Sequence, residues 1–316
     1  MTELAHAVTT VLDQCLGVQA GEDVVVLTDP PKRALAEAFL AGARAVGADA
    51  VLIEMSERSS HGEEPPPPVA AALSRCRALI APTSKSVTHT EARRAACAQG
   101  ARAATMPGIT EDMLVRTMRA DYAEIARRSR AVARALSDAR EVRVSSARGT
   151  ELSLSIEGRQ GVPDDGDLRA PGSFGNLPAG EGFIAPLEAS AQGRVVFDGS
   201  IWPIGLLEEP LTVDVEDGYA TKISGPRAHE LQSLLEPHGK EAFAVAELGI
   251  GTNDAAKLTG NVLEDEKIMG TVHVAFGDNH SFGGAIRVAS HQDGVVLEPT
   301  VMVDSAVLLE RGRLLA

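Results

Sequence analysis

Five residues in four glycine-rich stretches have the chemistry of metal ligands. His273 lies in Gly-Thr-Val-His-Val-Ala-Phe-Gly (270 to 277), and His291 and Asp293 lie in Ser-His-Gln-Asp-Gly (290 to 294). Glu181 follows Leu-Pro-Ala-Gly, and Glu247 opens Glu-Leu-Gly-Ile-Gly-Thr-Asn (247 to 253). Imidazole and carboxylate are the groups that hold Zn, Co, Mn or Fe(II). So many of them in such settings point to one shared site. Alternation along an extended segment puts His273 on one face with Thr271 and Ala275, and Val272, Val274 and Phe276 on the other. Glu247 is expected to share a face with Val245. A carboxylate on a buried strand is costly unless it is paired or binds a cation; the bland reading is a surface glutamate at a strand end. His291 and Asp293, two apart, project to the same side in extended chain, although Asp293-Gly294 is also a hairpin-turn signal.

Elements must bring these groups together. Residues 1–140 alternate short apolar runs with helical patterns: strands at Val24 to Leu27, Ala50 to Ile53, Ala78 to Ala81 and Ala101 to Thr105, helices at Lys32 to Val46 and Thr90 to Gln99. Alternation of this kind implies right-handed crossovers and a mostly parallel sheet. Gly42, on the apolar stripe of the first of these helices, would let it sit close to a sheet. Gly62 to Pro68 reads as a loop, because consecutive prolines cannot be helix interior. Thr110 caps one long helix that runs to about residue 138. From Glu141 onward, Val142 and Val144, then Leu152, Leu154 and Ile156, alternate with polar residues, the period of half-buried strands. Ala242 to Leu248, Thr271 to Phe276 and Val295 to Leu297 read as further strands. The expected architecture is an α/β domain over 1–140 with a mostly parallel sheet, and a β-rich, barrel-like domain over 141–316. His89, in Ser-Val-Thr-His-Thr (86 to 90), follows a strand of the first domain, at the edge where open α/β sheets place ligands. It reads equally as an acid or base, or as a helix-start residue with Thr88 or Thr90 as the cap.

The net charge of −14 argues against nucleic acid, which needs a basic face, and disfavours an anionic membrane. Three widely spaced cysteines form neither a disulfide frame nor a zinc ribbon, which fits a reduced, cytoplasmic setting. The N-terminus carries no signal-peptide pattern. No Gly-x-Gly-x-x-Gly follows a strand, so a dinucleotide is not expected.

The stretches 175–181, 247–253, 264–277 and 291–294, joined by Ala-Pro-Thr-Ser-Lys-Ser-Val-Thr-His-Thr-Glu-Ala-Arg (81 to 93), resemble the thermophilic metallo-aminopeptidase family. The resemblance implies a homodimer of two-domain chains acting on a peptide or small molecule. It implies two divalent ions (Zn, Co or Mn) held by Glu181, Glu247, His273, His291 and Asp293, with one carboxylate bridging. A metal-activated water would attack an amide carbonyl, with Glu266 as general base and His89 or His280 as a pocket acid or base. Two departures stand out. The peptidases are longer, and they carry a tyrosine where this chain has His280. A second branch of the same superfamily, the 2,5-dihydroxypyridine 5,6-dioxygenases, fits the shorter length. That resemblance implies one Fe(II) on His273, His291 and Asp293, with His89 as base. The five-ligand set makes hydrolysis of the aminopeptidase type the first expectation and ring cleavage the alternative.

Overall fold

A computed structural model describes residues 2–315. The chain forms two compact units. One comprises the chain up to Glu124 together with Gly166–Ala179; the other comprises Ile125–Asp165 and everything from Gly180. This differs from a single cut near residue 140, because a later segment returns to the first unit as a strand.

In the first unit, five parallel strands are ordered Asp49–Glu54, Asp23–Thr28, Ala78–Thr83, Arg102–Pro107 and Phe174–Asn176. Val25, Leu27, Leu79 and Ala81 alternate into a core with Leu73, Val87 and Ala96. The helices carry the expected caps: Thr90 accepts from the Arg93 amide and Thr110 from the Met113 amide. Three details correct the sequence reading. Gly42 serves the approach of another helix rather than of the sheet, since a Cβ there would stand 2.4 Å from Val8 Cγ1. Pro67 and Pro68 open a short helix, Pro67–Leu73, where a missing amide hydrogen costs nothing. The long helix is two, Glu111–Thr117 and Tyr122–Asp138.

The second unit contains two antiparallel sheets, of eight and seven strands, which remain open rather than closing into a barrel. Val142, Val144, Leu152 and Leu154 from one meet Leu248, Val272, Val274 and Phe276 from the other in a single core. Among the described residues, no helix is long and apolar enough to cross a membrane, and the three cysteines are buried without a disulfide.

Candidate metal centre

Four neighbouring strands of the seven-stranded sheet carry the five ligand-type residues: Glu181–Ile184, Val245–Gly251, Val272–Gly277 and His291–Val296. Ile184, Leu248, Ile250, Val274 and Val296 face the core. By the period of two, Glu181, Glu247, His273, His291 and Asp293 therefore take the opposite face. Val245 would break this parity, since it too lies in the core. A register shift between Val245 and Glu247 resolves it, so the expectation that these two share a face fails. Such a bulge re-aims the side chain that follows it. Asp293-Gly294 is strand interior rather than a hairpin turn, which keeps His291 and Asp293 on one side as their spacing requires.

The floor of the site is made of small residues. Gly249 stands opposite His273, and the imidazole lies over it: a Cβ at Gly249 would be 2.0 Å from Nε2. Ala275 stands in register between Glu247 and Asp293.

Above this floor the ligand atoms fall into two groups, Glu181, Glu266 and His273 in one, Glu247, His291 and Asp293 in the other. Glu247 reaches both: Oε1 is 3.4 Å from His273 Nε2 and Oε2 is 3.4 Å from His291 Nε2. Glu181 Oε2 lies 3.1 Å from His273 Nε2, and Asp293 Oδ1 lies 3.4 Å from His291 Nε2. Donors about 2.0–2.2 Å from one ion stand about 2.8–3.1 Å apart in octahedral and about 3.3–3.6 Å apart in tetrahedral geometry, so these separations suit ligands of a common cation. Glu181 Oε2 and both ring nitrogens of His273 are buried without a hydrogen-bond partner. An imidazole and a carboxylate left in that condition fit a divalent ion well. His291 donates Nδ1–H to the Asp278 carbonyl at 2.8 Å, which fixes the tautomer that leaves Nε2 facing the acids. The His273, His291 and Asp293 triad implied by the dioxygenase likeness is divided between the two groups.

Sequence reasoning assigned no role to Lys267 or Asp164. Lys267 is 1% exposed, and its Nζ lies 2.6 Å from Glu181 Oε1, 2.7 Å from Glu266 Oε1 and 3.2 Å from Asp164 Oδ2. Asp164 stands opposite Glu181 on the adjacent strand. The one signal in the sequence was a lysine set directly after the acids of 264–266. Burial alone would favour the neutral amine, but the three carboxylates outweigh it and hold the Lys267 pKa well above the ordinary lysine range. Glu266 is half-buried, and burial raises its carboxyl to about 8 against the pull of Lys267. A carboxyl raised that far holds its proton at neutral pH and becomes available as a base as pH rises toward about 8. His280 is exposed, with Nδ1 2.8 Å from the Asp278 carboxylate. His89 belongs to the first unit, exposed in the turn before the Thr90 cap. Phe282 meets Phe183 and His291 edge-on, with ring centroids 5.5 and 6.1 Å apart.

The metal-free site has a definite response to pH. Burial opposes charge on His273 and His291, yet the acids beside them raise both imidazoles well above the ordinary value. A raised pKa contributes stability that is complete below the unfolded value and is lost as pH climbs through the folded one. Glu266, raised to about 8, acts in the same direction. The metal-free chain should therefore lose melting temperature from neutral to mildly alkaline pH. A bound cation needs neutral imidazoles, so metal affinity should rise over the same range. Thermal melts of chelator-treated protein with and without Zn(II) check both. Parallel pH curves would refute the ligand roles of the histidines.

The family model for NicX, 2,5-dihydroxypyridine 5,6-dioxygenase, matches residues 3–316. A 2,5-dihydroxypyridine 5,6-dioxygenase of Pseudomonas putida KT2440 is 25% identical over 195 residues, 57% of this chain and 56% of that protein. The chain thus matches little more than half the length of this relative. The solved structure of the 2,5-dihydroxypyridine dioxygenase from that organism superposes with a TM-score of 0.84 at 19% identity, covering 100% of this chain and 98% of the other. Wild-type AmpT from Thermus thermophilus superposes with a TM-score of 0.73 at 17% identity, covering 99% of each chain. Both branches of the superfamily that the motifs resemble thus share this fold.

Proposed function

This chain belongs to the 2,5-dihydroxypyridine 5,6-dioxygenase (NicX) family, and we propose that it is a metal-dependent dioxygenase that opens a small hydroxylated heteroaromatic ring. The observation that carries this reading is a family match spanning both compact units, from residue 3 to 316, with the imidazole–carboxylate cluster inside it. Hydrolysis, the first expectation from the motifs, becomes the second reading.

In the proposed site Glu247, His291 and Asp293 would hold Fe(II), with His273 and Glu181 beside them. Iron held by imidazole and carboxylate with open positions supplies the chemistry that activates dioxygen. The remaining work belongs to the chain. Phe183 and Phe282 offer ring faces and edges suited to a flat substrate. Glu266 takes a hydroxyl proton from the ring, since its carboxyl is held basic by burial. His280, oriented by Asp278, is a second proton carrier. His89 keeps the base role that the resemblance implies, as a proposal to be tested by His89→Ala in the same assay. In the overall change both oxygen atoms of O2 enter the product as a ring carbon–carbon bond breaks, so no external reductant is consumed.

One observation favours the hydrolase: the two oxygens of Glu247 face different imidazoles, so Glu181, Glu247, His273, His291 and Asp293 would have donors enough for two divalent ions, which would supply the activation of water that hydrolysis needs. Oxygen-electrode traces decide between them. Protein loaded anaerobically with Fe(II) and given 2,5-dihydroxypyridine should consume one O2 per ring lost. No uptake, together with release of chromogenic amines from aminoacyl substrates by Co(II)- or Zn(II)-loaded protein, would reverse the order of the two readings.

A further inference from the structure

The lysine beneath the cluster has no place in either reaction, yet it is among the most buried charges in the second unit. A lysine ammonium has three protons to donate, and three carboxylates surround this one: Glu181 at 2.6 Å, Glu266 at 2.7 Å and Asp164 at 3.2 Å. None is left over for a substrate. It also takes only one oxygen of Glu181, Oε1. The other, Oε2, is the orphaned atom 3.1 Å from His273 Nε2. The lysine backbone is fixed as well. The Asn253 amide donates to the Lys267 carbonyl at 2.9 Å, and the Lys267 amide donates to the Glu264 carbonyl at 2.9 Å. Gly251 leaves room for this segment, since a Cβ there would be 2.0 Å from the Ile268 carbonyl oxygen.

We propose that Lys267 is a positioning residue, whose ammonium holds Glu181 by one oxygen so that the other is presented, with His273, to a divalent cation. This rests on the metal reading above and goes beyond it. Lys267 neither binds the ion nor touches substrate. It selects the rotamer of a ligand and anchors Glu266 beside it. Asp164 completes the cradle from the neighbouring strand. Groups that orient ligands in this way typically change metal affinity by about 10–100-fold when removed.

Co(II) is the probe, because its visible spectrum reports the ligand field independently of turnover. Lys267→Met should bind Co(II) about 10–100-fold more weakly by titration calorimetry and give an altered d–d spectrum, with the far-ultraviolet circular dichroism of the wild type. If Lys267→Met does not fold, Asp164→Asn tests the same idea, because it loosens the ammonium while leaving Glu181 and Glu266 in place. It should weaken Co(II) binding several-fold and shift the spectrum the same way. Folded variants with wild-type affinity and spectrum overturn the proposal. A wild-type chain that takes up no Co(II) overturns the metal reading itself, and this role with it.

Discussion

Glu247→Ala is expected to remove metal binding at both imidazoles at once. Its two oxygens stand 3.4 Å from His273 Nε2 and 3.4 Å from His291 Nε2, so its carboxylate reaches both groups. Metal-dependent turnover should fall by at least about a thousandfold, the scale of losing a principal charge-stabilising group. The metal-free fold should survive. Glu181 and Asp293 still face the two imidazoles when this carboxylate is gone. The measurement is a thermal melt with added Zn(II) or Fe(II). Wild type should gain about 2.7 kcal/mol at a metal concentration a hundred times Kd, and the variant should gain almost none. Full metal-induced stabilisation in Glu247→Ala would remove this residue from the ligand set. Glu247→Gln, which keeps the shape, separates loss of charge from loss of packing.

The second large effect is steric. Gly249→Ala places a methyl 2.0 Å from His273 Nε2 and 2.2 Å from Cε1. Neither partner has room to retreat. The Val245–Gly251 strand is buried along its whole length and lies between the Glu181–Ile184 and Val272–Gly277 strands, while His273 has 0% exposure. Overpacking at such a place costs about 1–3 kcal/mol, and here the strain falls on a ligand. The variant should melt lower and bind metal at least about tenfold more weakly, since a misdirected donor is as harmful as a missing one. Calorimetric titration with Co(II) and a melting curve measure both. Unchanged values would mean that His273 does not lie over Gly249 in solution.

Much of this was legible in the chain. Strict alternation in Val272 to Phe276 told which face of its strand His273 would take, because a two-residue period leaves a strand no other choice. The His291-x-Asp293 pair followed by the same rule. Repeated strand–helix alternation before residue 140 announced the parallel sheet, and Thr90 and Thr110 announced their helices. The motif resemblance supplied the superfamily, and the comparisons favour the branch that it ranked second.

Other features were decided only by the tertiary structure, for one reason: they depend on which distant segments become neighbours. The bulge before Glu247 exists because the adjoining strand fixes its register, so local parity misled. Asp293-Gly294 has the composition of a turn, but pairing with Ala275 and Val274 holds it extended. Lys267 sits 86 residues from Glu181 in the chain, and nothing within its own segment reveals that a carboxylate from another strand will neutralise it. Gly249 looks like any loop glycine until an imidazole is laid across it. Local periodicity chooses the face of a side chain at once, whereas the partner it meets there is set by long-range pairing, which single-chain patterns do not encode.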